Sequence, residues 1–135
     1  MRACHHRDYE VALPEGHPFP MRKFSILREL VEREGICRPA EIVEPDEADL
    51  ELLATVHGRD YLDALASGSL SRDAERRLGL PWSASLWRRS RLAVIGTLLA
   101  GEMALEAGVA ATLAAGTPHA QPAARQGFCV LNDVA

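Results

Sequence analysis

With 135 residues, 47% of them hydrophobic and 25% charged, the chain has the size and apolar content of one globular domain, which argues against disorder. A net charge of −4, with the arginines interleaved among Glu and Asp, leaves no broad basic surface for phosphates and excludes nucleic acid as an expected partner. Cys4, Cys37 and Cys129 are far apart and form no CxxC pair, so neither a disulfide framework nor a self-contained zinc knuckle is indicated, and a reducing cytoplasm is the expected location.

Along the chain, RACHH reads as a short first strand, and ALPEGHPFPM, with Pro14, Gly16, Pro18 and Pro20, reads as a loop. Phe24, Leu27, Leu30 and Val31 recur at helical spacing and predict a helix from Met21 to Glu34, stopped by Gly35. AEIVEP reads as a second short strand. The stretch from Asp46 to Gly68 holds two short helical patterns, one around Leu50 and Leu53 and one around Tyr61, Leu62 and Leu65, with His57 and Gly58 at their junction.

The longest helix is expected from Ser83, its N-cap, to Ala107, with Gly108 as its stop and Leu86, Trp87, Val94, Leu98 and Leu105 on one broad apolar stripe. Gly96 and Gly101 are small enough to allow close packing. The cluster Arg88, Arg89, Ser90 and Arg91 reads as a solvated face. VAATLAAG is assigned to a buried parallel strand over Val109–Ala114, because Gly108 ends the helix before it and Gly116, Thr117 and Pro118 terminate it. Asn132 or Asp133 is placed to cap a helix beginning at Val134.

No apolar run reaches the roughly 18 residues of a membrane span, and MRACHHRDYE lacks the apolar core of a signal peptide, so no membrane association is expected. The resulting order, β, α, β, α, α, long α, β, implies an α/β protein with a parallel sheet and no internal repeat or linker. In such folds ligands bind beyond the carboxyl ends of the strands. That places Gly116 to His119 and the returning GFCVLND at a pocket edge, joined by the polar loop AQPAARQ.

PEGHPFPMRKFSILRE, VHGRDYLDAL, RRLGLPWSASLWRRSRLAVIGTLLA and GTPHA…GFCVLNDVA, four ordered segments, together resemble the N-terminal part of the histone deacetylase superfamily, especially its bacterial and class IV-like branch. The resemblance covers essentially all of residues 1–135 and implies the N-terminal part of an arginase/deacetylase-like parallel-sheet fold, truncated at its C-terminal side. The reaction it implies is zinc-dependent hydrolysis of acetyl-lysine or of acetylated small amines.

By that resemblance His119 matches the second of two adjacent histidines, the one given the general-base role, and Pro118 replaces the first. Proline offers neither an imidazole nor an N–H. Phe128 is implied as a wall of the tunnel for an acyl-lysine chain, Gly127 as part of that wall, and Cys129 as a neighbour of the metal. By the resemblance, the loop from His17 to Lys23 corresponds to one rim of the pocket, near an internal acetate channel that Arg22 or Lys23 could approach; neither is assigned a role.

The zinc ligands of the family, an Asp-x-His pair and a later Asp, match nothing here. The expectation is therefore that zinc belongs to the complete family domain, that this chain holds none alone, and that it is inactive alone. The alternative expectation is a non-catalytic remnant or interaction protein that pairs with a partner or a separately encoded C-terminal half. Other chemistry-bearing residues take plainer readings: His5 and His6, adjacent on a strand, point to opposite faces; His17 and His57 are loop and junction hydrogen-bonders; Cys129 is a small buried residue rather than a nucleophile. Oligomeric state is not encoded in any pattern.

Overall fold

The computed structural model describes residues 1–114, 119–120 and 127–135. Gly116, Thr117, Pro118 and all of the AQPAARQ loop except Ala120 lie outside that description.

Three short strands, β1 (Arg2–Cys4), β2 (Ile42–Val43) and β3 (Ala110–Thr112), form a parallel sheet in the order β2–β1–β3. Ala3 pairs with Ile42 on one side and with Ala111 on the other, so β1 is the central strand and its Ala3 and Cys4 are fully buried. Parallel neighbours need long crossovers. One is made by α1 (Lys23–Arg33); the other runs through α2 (Leu50–Leu53), α3 (Arg59–Ser67), α4 (Arg72–Leu78) and α5 (Ala84–Ala107). The α/β parallel fold expected from the element order is the one observed.

The strands are shorter than expected. Glu41 is drawn into a 3-10 turn at Pro39–Glu41 by its carboxylate, which accepts from the Arg38 N–H at 2.7 Å, leaving only Ile42–Val43 in the sheet. The last strand occupies Ala110–Thr112 rather than Val109–Ala114. His5 and His6 lie beyond β1, so the strand rule of opposite faces does not apply to them: both rings stand edge-on to Tyr9, at 5.5 and 6.5 Å.

Caps fix α5 where the sequence placed it, whereas α1, with no side-chain cap, runs over Lys23–Arg33 rather than Met21–Glu34. The Ser83 hydroxyl accepts from the Leu86 N–H at 3.0 Å, and Gly108 closes α5 in a left-handed conformation that a side chain would resist. Helix α4 is absent from the reading of the sequence. Its seven residues bury only Leu78, too few apolar positions to show a period, but Ser71 accepting from the Ala74 N–H and the left-handed Gly79 bracket it as an ordinary capped helix. No helix begins at Val134; the Asn132 side chain instead accepts from the Val134 N–H at 3.1 Å in a local turn.

The main core gathers Tyr9, Phe24, Leu53, Leu62, Leu65, Leu78, Leu80, Leu86 and Leu92 with Val130 and Leu131, each fully buried aliphatic side chain contributing about 2 kcal/mol of transfer free energy. The expected stripe on α5 is corrected at two ends. Leu98 is 45% exposed and Leu105 90% exposed, whereas Arg89 and Ser90, read as solvated, are only 8% and 3% exposed. Gly96 does permit close packing, since a Cβ there would stand 2.3 Å from the Tyr9 Oη; beside Gly101 there is open space. Among the described residues no helix is long and apolar enough to cross a membrane.

Candidate functional site

The segment 127–133 returns across the N-terminal half of α5 and is held from four sides. Gly127 and Phe128 both have positive φ, +60° and +64°, and this tight turn lets the Phe128 N–H donate to the Leu78 carbonyl at the end of α4, at 2.9 Å. The Tyr61 hydroxyl donates to the Val130 carbonyl. Buried His57 accepts the Asn132 N–H on Nε2 at 3.1 Å, and Thr97 of α5 donates to the Asp133 carboxylate at 2.8 Å. His57 is thus a junction hydrogen-bonder, as expected, although what it joins is distant in sequence.

The turn presents Phe128 at the surface, 37% exposed, among the aromatic side chains of the proline-rich loop. Its ring centroid lies 5.1 Å from that of Phe19 and 6.4 Å from that of His17. On its other side is Gly79, where an added Cβ would come within 2.8 Å of the Phe128 ring. Exposed His119 lies beside the turn at Gly127: its Cδ2 is 3.2 Å from the position a Cβ would take there. The residues singled out from the sequence, His119, Gly127 and Phe128, therefore meet in one place, with Gly127 leaving the room in which the imidazole stands.

Behind the turn lies a cavity of about 50 Å³ whose lining includes Phe19, Lys23, Arg89, Phe128, Cys129 and Asp133. Two cations face it. The Lys23 ammonium lies 4.6 Å from the centre of the Phe19 ring, and the Arg89 guanidinium lies 4.6 Å from that of Phe24 while donating to the Tyr9 carbonyl at 3.0 Å. Burial pushes both groups below their ordinary pKa values, and the Arg89 charge pushes Lys23 further down. Of the two basic residues named from the rim loop, Lys23 is the one that reaches the cavity. Cys129 is buried, its thiol donating to the Leu131 carbonyl at 3.1 Å.

Arg89 and Asp133 were missed as site residues. A signal for Arg89 was present: it stands three residues from Leu86 and three from Leu92, on the same helical face as both, so a buried stripe through those leucines must pass through it. For Asp133 no comparable signal exists, because its partner Thr97 is fixed only by the fold.

A catalytic zinc needs about three protein ligands around an open position. Among the described residues no three His, Cys, Asp or Glu side chains converge, and the residues outside the description contain none of these types. The side chains present do not fit a zinc centre.

Residues 17–135 match the model of the histone deacetylase domain. A protein of Picosynechococcus sp. is 44% identical over 131 residues, covering 97% of this chain and 44% of the relative. The acetoin utilization protein AcuC of Staphylococcus aureus strain Mu50 is 30% identical over 131 residues, covering 90% of this chain and 34% of AcuC. Among solved structures, a histone deacetylase homologue complexed with SAHA superimposes with a TM-score of 0.77 at 25% identity, over 98% of this chain and 38% of that one. A homologue from Aquifex aeolicus gives 0.78 at 23% identity with the same coverage, a likeness of fold. The chain spans less than half the length of each of these relatives.

Proposed function

The chain belongs to the histone deacetylase family, and from that premise we propose that residues 1–135 form the part of a deacetylase-like domain that builds the acyl-chain wall and carries the base. The single observation supporting this is the convergence of His119, Gly127 and Phe128 on one turn, with Phe19 completing an aromatic face. The reaction served is hydrolysis of an acetyl amide, on a lysine side chain or a small amine: water adds to the acetyl carbonyl and the amine leaves.

Each residue has a role it is chemically suited to. Flat aromatic faces such as those of Phe128 and Phe19 hold a thin aliphatic stem with little side-chain entropy to lose. The His119 imidazole is a nitrogen base suited to taking up a proton, whereas proline at position 118 offers no second base. Cationic Lys23 and Arg89 attract the carboxylate released. Zinc supplies the Lewis acid in the complete family domain; the donors in this chain do not form its site, so these residues are proposed to serve a centre assembled with further polypeptide, and the chain alone is proposed to be inactive.

The test measures zinc content and acetyl-lysine hydrolysis for the chain, for Pro118→His, and for each joined to the C-terminal part of a family member. The expected outcome is turnover only in the joined proteins. Stoichiometric zinc with turnover in the unmodified chain would overturn the proposal.

A second reading, a non-catalytic interaction protein, is favoured by the edge of β3, which pairs with no further strand among the described residues, and by the groove of about 450 Å³ lined in part by Ile26, Leu27 and Leu113. Sheet edges of this kind accept a further strand. Light scattering on the chain mixed with a family C-terminal segment separates the two readings: a stable one-to-one complex without hydrolysis supports the second.

A further inference from the structure

His17 makes two hydrogen bonds that fix its chemical form. The Phe19 N–H donates to Nδ1 at 3.1 Å, so Nδ1 carries the lone pair; Nε2 then carries the proton and donates to the Gly79 carbonyl at 2.9 Å. One neutral imidazole thereby ties the loop bearing Phe19 to the loop between α4 and α5.

Gly79 is also where Phe128 is held. Its left-handed φ of +75° and the missing Cβ let the Phe128 ring lie against its backbone, while the neighbouring Leu78 carbonyl takes the Phe128 N–H. Phe128 is the one described residue other than glycine with positive φ, so this turn is held by its surroundings rather than by its own preference. The three loops that meet here are far apart in sequence, and the Phe19 and Phe128 rings lie 5.1 Å apart where they join.

We propose that His17, as the neutral Nε2–H tautomer, is a positioning residue that sets the spacing of the Phe19–Phe128 aromatic face by bridging Phe19 to Gly79. This rests on the reading of Phe128 as the wall of the acyl site, and it adds to that reading a residue which determines the shape of the aromatic face that the wall presents to a stem. His17 does not itself need to touch the substrate.

The experiment is NMR on the 135-residue chain. A long-range proton–nitrogen correlation reports the His17 tautomer in the unaltered protein, where a protonated Nε2 and bare Nδ1 are expected. His17→Ala is expected to abolish the cross-peaks between the Phe19 and Phe128 rings and to move the Phe128 signals, with those of β1 and α5 unchanged. His17→Gln, which keeps an N–H donor within reach of the Gly79 carbonyl, is expected to restore the cross-peaks. A protonated Nδ1 in the unaltered protein overturns the proposal even if His17→Ala fails to fold; so do unmoved Phe128 signals in His17→Ala, or a Gln variant that behaves like Ala. Titration with N-acetyl-lysine amide tests the underlying reading separately, since an unperturbed Phe128 speaks against the acyl wall and leaves the His17 tautomer untouched.

Discussion

The two parts of α5 have opposite fates, although the second is the richer in apolar residues. From Ala84 to Thr97 the helix is clasped: Arg89 bonds to the Tyr9 carbonyl, Arg91 to the Ala48 carbonyl, and Thr97 to Asp133, while Leu86, Leu92, Ala93 and Val94 are buried between these segments. From Leu98 to Ala107 only Ala100 and Met103 are buried, and the Arg2–Glu106 ion pair is exposed. A helical period marks which residues share a face. Whether that face is covered depends on what else the chain brings to it: Tyr9, Ala48 and Asp133 all bond to the first half, where the candidate site is, whereas the second half receives the exposed Arg2 pair.

The largest break in this comparison comes from Leu92→Ala. Leu92 is fully buried in the main core, and the substitution is expected to cost about 3 kcal/mol, lost transfer energy plus the cavity left behind, in chemical denaturation. Arg89→Ala comes next, at about 2 kcal/mol, because it leaves the buried Tyr9 carbonyl without its donor and removes the cation from Phe24. If Arg89→Ala left the melting midpoint unchanged, the guanidinium would be incidental to the clasp.

Gly96→Ala sharpens the same point through sterics. The new Cβ meets the Tyr9 Oη, and Tyr9 is fully buried and cannot swing away, so about 1 kcal/mol net destabilisation is expected even though alanine favours helix. Gly101→Ala, in open space on the other half, is expected to stabilise slightly; the pair of melting curves checks both signs.

Titration probes the clasp from the β1 side. Burial, then the charges of Arg28 and His6, hold His5 below the usual histidine pKa, while Glu44 and a backbone bond at Phe24 pull the other way. The folded state therefore resists protonation that the unfolded chain accepts. Stability from this group is complete above about pH 6.5 and falls as pH drops below it. His5→Gln is expected to flatten the dependence of the denaturation midpoint between about pH 7 and 5. The smallest effect belongs to the open half: Leu105→Lys is expected to change stability by less than about 0.5 kcal/mol.

Much of this molecule was legible locally. Ser83 and Gly108 bound α5 because a hydroxyl cap and a left-handed stop are properties of a few adjacent residues. The β-α-β order followed from period and punctuation, and the family resemblance rested on segments that include His119, Gly127 and Phe128. Helix α4 escaped because seven residues with one buried leucine carry no period, so only its caps announced it.

What the tertiary structure decided was pairing across long separations. Arg89 looked like one of a run of solvated charges, yet it is buried because Tyr9 and Phe24 close over that side of the helix; Leu105 looked like core and is exposed because nothing among the described residues closes over it. The bridge from His17 to Gly79, and from Gly79 to Phe128, joins loops more than sixty residues apart at its first step. Local sequence sets the conformation of each loop through φ, proline and caps; the contacts among them exist only once burial of the shared core has brought the loops together.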